Sequence, residues 1–247
     1  MINKYIPSVS ERSNLKRKDN KLKLSGDRIF FSVQGEGQSI GKSAVFLRLH
    51  LCNLHCRWCD TQYAWNPDLK EFWTESSDWT ISQILKSIKK YHCQRLVITG
   101  GEPLLQQEVI VKLIKLIPDW DIEIETNGTI PPIEYLMTRC QFNVSPKLRN
   151  SGQDMDLTIK PDVLMKLNTL SQTTFKFVVI NKTDITEIVD IIKKCKLDQK
   201  KIIIMPEGIN TKDMLIHAQS VIEEVKKRKW RILPRLQITL WGNKRKV

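Results

Sequence analysis

Three thiols fall within eight residues, in the run Cys52-Asn-Leu-His-Cys56-Arg-Trp-Cys59-Asp60-Thr61. Three cysteines in one loop can converge on one metal centre. A mononuclear structural zinc takes four ligands. His50, His55 and Cys93 are candidates for a fourth, but no second pair follows at finger-like spacing. Three thiolates with an open fourth position suit a cubane iron–sulfur cluster whose fourth iron is free for a substrate or cofactor. The plainer reading is three reduced thiols packed in a loop, and their density beside Arg57, Trp58 and Asp60 argues against it. Cys93, Cys140 and Cys195 match no motif and read as buried thiols. A disulfide framework would spread its cysteines more evenly through a smaller secreted chain, so a reducing cytoplasm fits better.

Other chemically capable residues stand at the ends of strand-like runs. Thr99-Gly100-Gly101-Glu102-Pro103 offers glycines for close backbone approach and a carboxylate that accepts from an ammonium group. Glu125-Thr126-Asn127-Gly128 reads equally as a hydroxyl-binding site or as a plain Asn-Gly turn. Ser145-Pro146-Lys147 supplies a hydroxyl and a cation. Met205-Pro206-Glu207-Gly208 is a turn that could shape an adenine-facing loop. Upstream, Ser32-Val33-Gln34-Gly35-Glu36-Gly37 sets an amide and a carboxylate among glycines. By itself it reads as a Gly-rich hairpin, yet the pair suits a nitrogen-rich ring. Arg48, four residues before Cys52, carries a fork that can hold a carboxylate by two bonds.

The elements that must position these groups alternate. Strands are expected at 44–49, 95–98, 121–125, 142–145, 174–180 and 201–205. Helices are expected at about 80–91, 103–117, 161–170, 183–195 and 211–228. This order implies parallel strands with helical crossovers, whose active sites form at the C-terminal strand ends. The chain has 247 residues and a net charge of +13. The excess is terminal: residues 1–24 carry seven basic and two acidic groups, and 226–247 carry nine basic and none acidic. The middle is close to neutral, so the charge does not by itself mark a nucleic-acid binder. No apolar run approaches a membrane span, and the first ten residues lack a secretory h-region. The sequence divides into a charged extension, 1–24, and one domain, 25–247.

Cx3Cx2C after a first strand in such a chain resembles the radical S-adenosylmethionine superfamily. The resemblance implies a compact, modified α/β fold, a partial (β/α)6-type barrel related to the TIM barrel. The Gln34-Gly35-Glu36-Gly37 segment, Arg48, Cys59-Asp60-Thr61, Thr99 to Pro103, Ser145 to Lys147 and the ending Pro234-Arg235-Leu236-Gln237 with Trp241-Gly242-Asn243-Lys244-Arg245 occur together and in order. That combination closely resembles the 7-carboxy-7-deazaguanine synthase family of queuosine and 7-deazapurine biosynthesis, from about Asp27 to Val247.

The resemblance implies roles residue by residue. Cys52, Cys56 and Cys59 would hold a [4Fe–4S] cluster that generates the radical. Trp58, Cys59, Asp60, Gly101, Glu102, Ser145, Pro146, Lys147, Met205, Pro206, Glu207 and Gly208 would form the S-adenosylmethionine site. Thr61 would place its hydroxyl on Mg²⁺, a hard ion that keeps its waters. Val33, Gln34, Gly35, Glu36, Arg48, Thr99 and the Val247 carboxylate would bind substrate. Lys246 stands where the family pattern has glycine. The implied reaction is the Mg-assisted ring contraction of 6-carboxy-5,6,7,8-tetrahydropterin, with loss of ammonia, by a lyase. Its partners would be a reducing electron donor such as flavodoxin or ferredoxin and a second copy in a homodimer. Neither membrane nor nucleic acid is expected. One alternative is another small radical enzyme such as a glycyl-radical activase, which has no need of Gln34, Glu36 or Asp60-Thr61. The other is a zinc-containing, basic nucleic-acid-binding module, favoured by the basic tail with Trp230 and Trp241.

Overall fold

The computed structural model of the protein describes residues 20–245. Most of residues 1–24, together with Lys246 and Val247, lies outside them. Nine strands form one sheet: β1 Lys21–Val33, β2 Ser43–Leu49, β3 Ser77–Thr80, β4 Arg95–Gly100, β5 Asp121–Thr126, β6 Gln141–Val144, β7 Thr173–Val179, β8 Ile202–Pro206 and β9 Arg231–Ile232. Their order is β3-β1-β2-β4-β5-β6-β7-β8-β9. From β2 to β9 every neighbour is parallel, while β1 is antiparallel to both β2 and β3. The six expected parallel strands are all present, and the architecture is the α/β repeat that the element order implied.

Helices cross between the strands. They are α1 Ile81–Ile88, α2 Gln107–Ile114, α3 Glu134–Arg139, α4 Pro161–Asn168, α5 Lys182–Cys195, α6 Thr211–Arg228 and a final α7 Leu236–Trp241. Their starts are written locally. Thr80 and Gln83 form a capping box for α1, and Asn181 and Asp184 form one for α5. Pro161 opens α4 with its preset φ. Pro103 opens a 3-10 turn, Pro103–Gln106, that runs into α2.

The boundary expected at residue 24 falls inside β1. Lys21–Leu24 pair with Ser77–Thr80, and Leu22 and Leu24 are completely buried. Lys-Leu-Lys-Leu is the period-two alternation of a strand, with leucines inward and lysines outward. The core therefore starts earlier than the charge pattern implied.

Alternation also separates two chemistries within the sheet. Val45, Leu47 and Leu49 of β2, Ile122 and Ile124 of β5, and Phe175 and Phe177 of β7 belong to the main apolar core, together with Ile185 and Ile188 of α5. The intervening residues point the other way: Phe46 and Arg48, Glu123 and Glu125, Gln141 and Asn143, Lys176 and Val178. Both sets are largely covered, as is usual in a parallel sheet. One face is thus a conventional core, and the other is a buried polar surface.

Candidate active site

That polar face opens on a cavity of about 280 Å³ at the C-terminal strand ends. Among its lining residues are Val33 to Glu36, Arg48, Cys52, Cys56, Trp58 to Thr61, Thr99, Gly101, Ser145, Lys147, Met205, Glu207 and Gly208. Most of the residues singled out from the sequence therefore meet in one place. Three described residues do not line it: Glu102, Pro146 and Pro206 lie behind the wall. Val247 is outside the described residues.

The cysteine loop leaves β2 through Leu51, whose φ of 78° lies in the left-handed region that a branched side chain rarely occupies. Two bonds hold it there: Leu51 N donates to Ala64 O at 2.8 Å, and Glu102 N donates to Leu51 O at 2.8 Å. Gly100 and Gly101 explain the pair of glycines after β4. A Cβ on Gly100 would stand 2.2 Å from Leu49 O, and one on Gly101 would stand 1.9 Å from Leu51 O. Their requirement is the approach of the loop backbone to β4. Glu102 is fully buried and accepts from Leu104 N at 3.0 Å, Thr126 Oγ1 at 2.8 Å and Asn127 N at 2.7 Å. Its carboxylate ties β4 to the end of β5. Asn127 in turn donates to Asn53 Oδ1 at 2.9 Å, so the Glu125 to Gly128 run is a turn that braces the cysteine loop. Trp58 Nε1 donates to Asn150 Oδ1 at 3.1 Å, and Lys147 Nζ lies 5.5 Å from the Trp58 ring centroid.

No cysteine of the described chain is in a disulfide. Burial pushes the Cys52 thiol well above its ordinary value, and Glu102 pushes it further. Burial also raises Cys56, against the pull of Lys147. Nearby thiols would otherwise stay protonated, and a metal must displace those protons. Among the described residues, no three His, Cys, Asp or Glu side chains are gathered tightly enough to hold one ion. Thiolates on three corners of a cube bind three different irons and need not be gathered so tightly. The donor set, all sulfur and all on one cavity wall, fits an iron–sulfur cube. Of the scattered cysteines, Cys140 and Cys195 are buried, while Cys93 is half-buried beside the starts of β2 and β4.

The opposite wall is charged. Glu36 binds Lys176 in a close ion pair, accepts from Arg235 Nε at 3.1 Å and from Gln237 Nε2 at 2.7 Å. Burial alone would raise its carboxyl, but the Lys176 and Arg235 charges outweigh that and hold it well below the usual range. Asp60 pairs with Arg235, which with nearby Arg48 overcomes burial and keeps Asp60 low as well. Gln34 donates to Glu125 Oε1 at 3.1 Å and also to Glu123. Thr99 Oγ1 donates to Glu125 Oε2 at 2.8 Å. Glu123 is completely buried, receives Arg95, Gln141 and Asn143 besides Gln34, and burial with the Glu125 charge pushes it up to about 7. Arg48 lies 5.6 Å from the Phe30 ring centroid, and its buried Nε donates to nothing. A half-buried guanidinium whose buried Nε is unused is prepared for an anionic oxygen.

The Gln34 segment forms a hairpin and also lines the cavity. Gln34 N donates to Lys42 O and Gly41 N to Gln34 O, each at 2.8 Å, closing the β1–β2 hairpin at the cavity rim. Its glycines make room for side chains. A Cβ on Gly35 would meet Gln237 Oε1 at 1.7 Å, and one on Gly37 would meet Asn143 at 2.3 Å. The chain end folds over this rim: Leu236 N donates to Gly35 O at 2.9 Å. Sequence reasoning did not assign Glu123, Lys176, Arg235 or Gln237 to the site. Lys176 had a signal, as a single charge inside the apolar run Thr-Phe-Lys-Phe-Val-Val.

The 4Fe–4S single cluster domain family matches residues 33–127. The 7-carboxy-7-deazaguanine synthase of Rhodopirellula baltica is 32% identical over 232 residues, covering 87% of this chain and 86% of its own. That of Pyrobaculum aerophilum is 30% identical, covering 88% and 94%. Among solved structures, QueE from Escherichia coli aligns with a TM-score of 0.66 at 23% identity, over 94% of this chain and all of that one. Streptococcus suis SuiB bound to S-adenosylmethionine aligns at 0.50 and 15% identity, over 74% and 48%. These two likenesses concern the fold.

Proposed function

The chain belongs to the 7-carboxy-7-deazaguanine synthase family, and from that premise we propose how this cavity divides the work. The enzyme is a radical S-adenosylmethionine lyase that forms 7-carboxy-7-deazaguanine. The observation that carries the assignment of roles is the meeting, in one cavity, of three free thiols and the Arg48 guanidinium, whose buried Nε is unused. Cys52, Cys56 and Cys59 hold the [4Fe–4S] cluster. When bound, the cluster and S-adenosylmethionine supply a radical that takes hydrogen from a substrate carbon, which no side chain here could do.

The protein's part is position, charge and dryness. Trp58, Lys147, Gly101, Met205, Glu207 and Gly208 line the cavity beside the cysteines and form the cofactor's berth. Arg48 fixes the carboxylate of 6-carboxy-5,6,7,8-tetrahydropterin through its fork. Glu36 stays ionised and accepts from ring N–H groups. Gln34, its amide held by Glu123, Glu125 and the Glu36 N–H, shapes the wall against the ring edge. Thr61 lines the cavity with its Oγ1 3.4 Å from Cys59 Sγ. The Thr61 hydroxyl would hold Mg²⁺ by one oxygen, and the ion would supply charge to offset the substrate carboxylate. An external one-electron carrier such as flavodoxin or ferredoxin feeds the cluster.

Anaerobic reconstitution with iron and sulfide tests this reading. The protein should turn brown, absorb near 400 nm, and convert the tetrahydropterin to 7-carboxy-7-deazaguanine with S-adenosylmethionine and a reductant. A colourless, zinc-loaded protein would refute it.

A further inference from the structure

Arg235 is the residue at which the cavity's separate parts join. Its Nε donates to Glu36 Oε1 at 3.1 Å, its Nη1 to Gly208 O at 3.2 Å, and its Nη2 to Asp60. These partners stand 199, 27 and 175 residues away in sequence. They belong to the β1–β2 hairpin, the loop after β8 and the cysteine loop. On the reading above, on which this inference rests, the hairpin serves the pterin and the other two serve S-adenosylmethionine. Only 12% of the Arg235 side chain is exposed. Without the cation, Glu36 and Asp60 would be left as two like charges with no shared partner. A planar guanidinium can serve three directions at once, whereas an ammonium cannot hold that fork.

We propose that Arg235 is a positioning residue that makes the binding of S-adenosylmethionine and of the pterin substrate mutually dependent. A ligand that settles the loop after β8 and the cysteine loop also fixes Arg235, and Arg235 then fixes Glu36 against the second ligand. The coupling is reciprocal by linkage.

The test uses cluster-loaded protein under anaerobic conditions with no reductant, so that nothing turns over. The tetrahydropterin is titrated with and without saturating S-adenosylmethionine, and the reverse titration is run. In the native protein each ligand should tighten the other by about fivefold or more. In Arg235→Lys, each ligand alone should bind within about threefold of native, while the mutual gain falls to about one. Retention of the gain in Arg235→Lys overturns the inference, and so does a gain of one in the native protein. A loss of pterin affinity that is equal with and without S-adenosylmethionine also overturns it, by making Arg235 a plain substrate contact. Hydrogen exchange on the native chain needs no variant. S-adenosylmethionine alone should slow exchange at 34–37 as well as at 58–61 and 205–208, and protection confined to the last two segments counts against the proposal. Native protein that binds neither ligand and yields no product when dithionite is added fails the functional reading itself, a separate result.

Discussion

The two walls of the cavity are built on opposite principles. The cysteine wall is under-satisfied: burial raises Cys52 and Cys56, and the three thiols have no disulfide partners and sit on a loop held by backbone bonds. The hairpin wall is already paired: Lys176, Glu36, Arg235 and Asp60 alternate in sign, and Gln34, Glu123 and Glu125 are bonded to one another. The first wall depends on an incoming group to complete it. The second is ordered beforehand, with Arg48 as its unused donor. Pre-ordered charge lowers the cost of orienting a substrate, whereas unpaired thiols are reserved for a cluster.

The sharpest way to break the contrast is on the cysteine wall. Cys56→Ala should lose the 400 nm absorbance and at least about a thousandfold in turnover, because the three ligands act as a unit. Spectra of the reconstituted variant check the first, and product formation checks the second. On the hairpin wall, Arg48→Lys keeps the charge but loses the fork. The cluster should load normally, while kcat/KM for the tetrahydropterin falls about 10- to 100-fold. Equal losses of cluster and substrate binding would erase the distinction between the walls.

Gly35→Ala probes the lid of the second wall. The new methyl would displace Gln237 and α7, and KM should rise about tenfold with cluster content unchanged. A smaller effect concerns pH. Glu123 is pushed up to about 7 from an ordinary 4.5, so the folded state holds its proton more tightly than the unfolded state. Its contribution is full below 4.5 and is lost as pH rises to about 7. Glu36 is held low and contributes in the opposite sense: its stabilisation is present above 4.5 and lost on acidification. Thermal melts of the Glu123→Gln variant should therefore show less loss of stability than native between pH 4.5 and 7. The smallest effect belongs to the Glu223–Lys226 pair on α6, which is exposed on both sides. Lys226→Ala should cost under about 1 kcal/mol in melts, because such pairs are screened.

Which parts were legible follows the same division. The thiols could be found because metal ligands cluster in sequence, and the strands because their outer faces are continuously apolar. The hairpin wall was harder to see, because its charges come from distant segments. Asp-Ile-Glu-Ile-Glu at 121–125 has the alternation of a half-exposed strand, yet Glu123 is completely buried against Gln34, Gln141 and Asn143. Lys176 and Arg235 reach Glu36 only through the fold. Lys21 to Leu24 looked like part of a charged tail because lysines alternate with the leucines that enter the core. The Glu102 carboxylate stood beside the expected ligand glycines, but it turns inward to three donors of its own chain.

Electron paramagnetic resonance of the reduced, reconstituted protein, recorded before and after S-adenosylmethionine is added, tests the central claim most directly. A cluster held by Cys52, Cys56 and Cys59 with one iron open to the cavity should give a signal that shifts when the ligand is added. A signal unchanged by S-adenosylmethionine, or an equally strong one from Cys56→Ala, would contradict it.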